Sequence, residues 1–279
     1  MKHLIALLFS ITAYGVAVDG NATVTTVKGT GKVEATPVAK GSIILNGQRI
    51  STDKDSQATL WLSNGSRMVV NANAIVLFKV MKQEEGSLQP PNPEDKSLKE
   101  TGASITEIEV EAGKVIGDVK KLVPNSIYTL KTPVGTVSIK GTVFSVEYKK
   151  NDDGTVAFNI GCLVGRVTVQ MADPNVAPVS VPAGKQLSVS APPPNASGNP
   201  QGGGDKPAPP PPMKMEVAPM PAKEMMAINI SNLPPAAMAP PPPNAPPPPK
   251  TQAQALDKII QETEQAVKKG QIDPSPTGG

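Results

Sequence analysis

The stretch "TPVGTVSIKGTVFSVEY", Thr132 to Tyr148, alternates β-branched residues with small ones and spends two glycines, Gly135 and Gly141, inside what otherwise reads as strand. Glycine weakens a strand interior, so each must answer a local need: a bend, a left-handed backbone, or a neighbouring chain lying close. "FSVEY" sets Phe144, Val146 and Tyr148 on one face and Ser145 and Glu147 on the other. That period of two is the pattern of a half-buried strand.

The same pattern extends outward in both directions. "ATLWL" puts Ala58, Leu60 and Leu62 opposite Thr59 and Trp61, and "GRVTVQ" sets Val167 and Val169 against Thr168 and Gln170. Trp61 falls on the nominally outer face, which leaves it either under a loop or exposed. Cys162 shares strand parity with Val156, Phe158 and Ile160, and so reads as a small core hydrophobe. Turn signals recur at short intervals: "SNGS" at 63–66, "EAGK" at 111–114, "NDDG" at 151–154, "VGR" at 164–166 and "PAGK" at 182–185. Many short strands with regular turns predict one all-β domain over residues 22–190, built of antiparallel strands as a β-sandwich or a solenoid-like coil. A weak echo of glycine, basic residue and apolar strand ("GKVEA", "GKVIGDV", "GRVTV", "GKQLSV") predicts a repeated hairpin or coil unit. The polar run from Lys82 to Ser104 reads as a surface loop.

The two ends of the chain are different in kind. "MKHLIALLFSITAYGVAV" has a basic start, an apolar run and small residues at Gly15 and Ala17, which predicts a signal peptide over residues 1–17 and export to the periplasm or beyond. No other segment is apolar enough to span a bilayer, so no transmembrane segment is expected in the mature chain. Residues 191–250 hold 21 of the 32 prolines and read as a disordered Pro/Gly/Met-rich linker. Residues 251–270 carry a capping box (Thr251, Gln254) and an apolar stripe, Leu256, Ile259, Ile260 and Val267. They predict one short amphipathic helix, suited to docking on a partner. Residues 271–279 complete a disordered tail.

The chemistry is limited by what the chain lacks. Net charge is +3, with no basic stripe interleaved with aromatics, which argues against nucleic acid. The single histidine, His3, lies in the predicted signal peptide, so histidine-based triads and the commonest zinc sites drop out of the mature chain. No acid pair stands out on a patterned segment. No catalytic residue, cofactor or metal ligand is assigned, and the chain reads as a non-enzyme. Six of the ten methionines lie between Met213 and Met238. Copper(I) is the functional alternative there, and an adaptable apolar recognition segment is the favoured reading. "TDKDS" at 52–56 lacks the glycine and closing glutamate of a calcium loop and reads as a turn.

The opening stretch resembles the signature of the FecR-type domain family, in which a Thr-Pro enters a strand and a basic-Gly-Thr triplet precedes an aromatic strand. Here those positions are Thr132, Pro133, Lys140, Gly141, Thr142, Phe144 and Val146. The upstream "SNGS" hairpin and the closing "GRVTV" and "VPAGKQLSV" strands look like the rest of the same domain. The family usually has arginine where this chain has Lys140, and lysine offers no planar bidentate fork. The resemblance implies an all-β periplasmic or secreted domain, in the best-known members the sensory part of a sigma-factor regulator. With no second membrane-spanning run, the chain looks like a free-standing exported FecR-type protein. Its expected partner is another envelope protein of unknown identity. Scaffold is the favoured role of the signature, with a ligand site at Lys140 and Thr142 the alternative.

Overall fold

The computed structural model describes residues 17–89, 99–191 and 213–231. The chain opens with six short strands: β1 (Ala17–Asp19), β2 (Ala22–Lys28), β3 (Gly31–Val33), β4 (Thr36–Pro37), β5 (Ile43–Ile44) and β6 (Gln48–Thr52). Then come β7 (Gln57–Leu62), β8 (Arg67–Val70), β9 (Ile75–Glu84) and β10 (Ser104–Asp118), which at 15 residues is the longest. The signature lies on β11 (Ile127–Thr132), β12 (Gly135–Ile139) and β13 (Val143–Lys150). It is followed by β14 (Val156–Val164), β15 (Arg166–Met171), β16 (Val179–Pro182) and β17 (Lys185–Ala191). A further strand, β18 (Lys214–Pro219), and a helix, α1 (Ala222–Ser231), complete the described chain.

These strands form two open sheets that share one member. The first sheet runs β4-β3-β6-β9-β10-β11-β12-β15-β16, with β1 on the far end of β9. The second runs β5-β2-β7-β8-β10-β13-β14-β17-β18. Neither closes on itself. β10 belongs to the first sheet through Ser104–Ala112 and to the second through Gly113–Asp118. It changes sheets at Gly113, where φ is +83° and a Cβ would stand 2.5 Å from the Cα of Ala74. No other residue tolerates both the left-handed backbone and that approach. The pairing of β10 with β11 is parallel, because the chain must return from the end of β10 to its beginning.

Between the sheets lies one continuous core. Its fully buried members include Leu60, Met68 and Phe158 from the second sheet and Phe78, Ile108, Leu130 and Val169 from the first. The period-two reading selected the inward face correctly at Ala58, Leu60, Leu62, Phe144, Val146, Val167 and Val169. Cys162 is fully buried among them, and burial pushes its thiol up from 9.0 to about 12. Trp61 is buried as well. Its indole donates to the carbonyl of Gln89 at 3.3 Å and lies beneath the ammonium of Lys120.

Two expectations change. The run Lys82–Ser104 is not surface loop throughout: Gln83, Ser87, Glu100 and Ser104 are buried. Ser63 Oγ donates to Gln83 Oε1 at 2.7 Å, and Ser126 Oγ donates to a Glu100 carboxylate oxygen at 2.6 Å. A buried carboxylate needs such donors. The linker expected over 191–250 likewise contains order. Lys214–Pro219 pairs antiparallel with β17, and α1 lies across the outer face of the second sheet, where Met220 and Ile228 cover Val69 and Ile116. Composition concealed this, since of the paired residues only the last, Pro219, is a proline and a neighbouring edge supplies the hydrogen bonds. The helix expected at 251–270 lies outside the described residues, as does the segment 1–16.

Candidate functional site

The signature residues divide between core and corner. Phe144 and Val146 are fully buried on β13. Thr132 ends β11 and its hydroxyl donates to the carbonyl of Gly135 at 3.1 Å, closing the two-residue turn made by Pro133 and Val134. Gly135 starts β12 so close to β15 that a Cβ would meet the Gln170 carbonyl oxygen at 2.8 Å.

Lys140, Gly141 and Thr142 form the corner at which the chain leaves the first sheet for the second. Gly141 has φ +105°, and a Cβ there would stand 2.7 Å from the Cα of Lys121. On its other side, the Gly141 carbonyl oxygen lies 2.8 Å from where a Cβ of Gly165 would project. Gly165 is the corner leading back from β14 to β15. Successive crossings therefore stack on one another like the turns of a coil, tied by a hydrogen bond that the Val119 amide donates to the Thr142 carbonyl at 3.0 Å. The echo seen in the sequence marks this: Gly113, Gly165 and Gly184 each stand where the chain changes sheets. Lys140 is exposed, while the Thr142 side chain is buried with its hydroxyl unpartnered. The Lys140 side chain therefore lies at the surface and that of Thr142 in the interior.

Beside the Thr132–Pro133 turn the first sheet splits. β10 pairs with β11 as far as Glu109 and then departs toward the second sheet, while β11 continues to Thr132. The fork leaves a shallow groove of about 330 Å³ lined by Glu109, Val110, Glu111, Lys131, Thr132 and Pro133. Three outward glutamates of β10 flank it, each matched by a cation: Lys131 of β11 with Glu107 at 3.2 Å, Lys79 of β9 with Glu109 at 3.0 Å, and Arg49 of β6, reaching past β9, with Glu111 at 2.9 Å. The hydrogen bond to Glu109 and its charge hold the Lys79 ammonium above its ordinary range. Among the described residues no group of three or more histidine, cysteine or acidic side chains is placed to hold a metal, and no helix is long and apolar enough to cross a membrane.

The second sheet carries a different surface feature. α1 is fixed by Glu224, which accepts from Lys114 Nζ at 2.7 and 2.5 Å and from Ser145 Oγ at 2.6 Å. Gly161 makes room for it, since a Cβ there would stand 3.0 Å from Met220 Cε. Sequence reading missed this strap of β18 and α1; the only available signal was the alternation "MKMEV" along β18.

The arrangement defines an all-β two-sheet scaffold whose chain repeatedly changes sheets at glycine corners. Residues 48–168 match the family model described as FecR protein. No curated protein matches the chain. Two crystal structures of a protein described as a putative anti-sigma factor from Parabacteroides distasonis are similar to it at 16% identity, with TM-scores of 0.42 and 0.41. Each similarity covers 64% of this chain, and 63% or 62% of the other, so the chain spans less than two thirds of those proteins.

Proposed function

We propose that the protein is a non-enzymatic, exported FecR-type module of the bacterial cell envelope that works by binding another envelope protein. The observation that carries this reading is the FecR match, which spans the shared strand β10, the fork and the signature corner. Within it the glycines and buried residues hold a frame, and the exposed groups left over form a recognition surface. The C-terminal residues add a tethered interaction segment, reaching a partner through the sequence beyond Ser231. The family match also supports a second reading, a periplasmic signalling component of a sigma-factor pathway acting through a separate membrane protein.

Photo-crosslinking in the producing bacterium tests the first reading, with the photoreactive residue placed at Pro133 and, as a control, at Ser180 on β16. One discrete adduct formed from Pro133 and not from Ser180 is expected. Retention of Met1 on the purified chain would defeat the export claim, and absence of any fork adduct would defeat the fork as the binding face. Deleting the chain and measuring transcription separates the readings: a change confined to one sigma-dependent set of genes favours signalling.

A further inference from the structure

The outer edge of β18 is a built, self-complementary docking edge, and we infer that it pairs antiparallel with β18 of a second copy of this chain. β18 is the last strand of the second sheet and pairs only with β17 among the described residues. The Met220 amide donates to the Gly184 carbonyl at 2.9 Å, in line with the register that sets Pro219 opposite Lys185. In an antiparallel ladder hydrogen-bonded and non-bonded pairs alternate. Lys214, Glu216 and Ala218 therefore turn their backbone groups toward β17, and Met215 and Val217 turn theirs outward. Pro219, with no N–H to offer, falls on the outward set.

The side chains choose the occupant. Met215 and Val217 stand opposite buried Val189 and Leu187, on the core-facing side, yet are 40% and 45% exposed. The facing sheet does not reach over them. Lys214 and Glu216 point to the other face, are exposed, and have no ion-pair partner among the described residues. Two copies meeting about a twofold axis through Met215 place Lys214 of each opposite Glu216 of the other. The same register sets Met215 against Met215 and Met213 against Val217, with the outward backbone groups bonding across the axis. Shifting the axis to Glu216 brings like charges face to face, and shifting it to Val217 brings Pro219 into the ladder, where a donor is missing. Only the first register satisfies charge, apolar contact and backbone together. The ladder is short, so the dimer is reversible and concentration-dependent.

Sedimentation of the full chain over a wide concentration range reads the association. Lys214→Glu and Glu216→Lys alone each place like charges opposite one another twice, and each is expected to weaken self-association by roughly tenfold or more. An equimolar mixture of the two variants restores it, because every pair is again opposite in sign. Met215→Cys fixes the register: mild oxidation links two chains through position 215, while Ser188→Cys on β17 gives no link. A chain that stays monomeric at high concentration overturns the inference. So does a dimer indifferent to the charge reversals, or one that Met215→Cys does not link.

Discussion

At the scale of single residues, two costs that glycine avoids can be separated. Gly141 combines a left-handed backbone with a backbone neighbour 2.7 Å from the missing Cβ, whereas Gly184 has φ +73° and nothing within 4 Å. Gly141→Val is therefore expected to destabilise the domain by about 1–3 kcal/mol, and Gly184→Ala to cost less, about 1 kcal/mol. Lys140→Ala, at an exposed side chain, should stay within about 0.5 kcal/mol. Chemical denaturation of the three variants gives the ranking, and a Lys140→Ala protein that unfolds would overturn the scaffold assignment. Cys162 sets a pH dependence. Its thiol is raised from 9.0 to about 12 by burial, so above pH 9 the unfolded chain releases a proton that the folded chain keeps. Stability conferred by the protonated thiol is present below pH 9 and lost as pH rises toward about 12. Burial raises the Tyr128 phenol as well, which steepens the same loss above pH 10. Unfolding measured from pH 8 to 11 should show this decline, and Cys162→Ala should make it shallower.

At the scale of elements, what was legible followed from which interactions are local. Alternation along one strand marks its buried face, so the inward residues of β7, β13 and β15 could be read directly. Pairing between strands is not written locally, and in β10 only Gly113 hints that the two halves serve different sheets. The glycine echo carried part of that information, but a hairpin and a change of sheet ask the same backbone freedom of glycine. The strap was hidden for another reason. β18 is held by the β17 edge and α1 by one ion pair, a hydrogen bond from Ser145 and a few apolar contacts, none of which has a sequence period. A ten-residue helix is marginal alone, so α1 depends on that docking. Glu224→Ala leaves the Lys114 ammonium, only about a fifth exposed, without this ion-pair partner. The expected cost is about 1–3 kcal/mol, confined to the strap. Hydrogen exchange should accelerate in 222–231 while β13 and β14 keep their protection; equal acceleration throughout would show that the strap and the sheets unfold together.

At the scale of the whole molecule, the question is where the cooperative unit ends. Alternation ceases near Ser190, but the pairing continues through Pro219 and the packing through Ile228. The main core draws on both sheets and takes only Met213, at its margin, from beyond β17. Removing the strap therefore leaves that core intact while uncovering Val69 and Ile116 on the outer face. Met220 and Ile228 contribute roughly 1.5–3 kcal/mol each by burial, a small share beside the continuous core between the sheets. The strap is consequently a weakly held part of a stable body. A chain ending at Ser231 should keep the thermal midpoint and β-type circular dichroism of the full protein. One ending at Ser190 should keep the β spectrum but melt lower by several degrees, the scale of about 1–3 kcal/mol in a domain of this size. Equal midpoints for the two cuts would show that β18 and α1 add nothing to the fold. A fall on cutting at Ser231 would mean that residues 232–279 pack on the sheets, placing the end of the cooperative unit further along the chain.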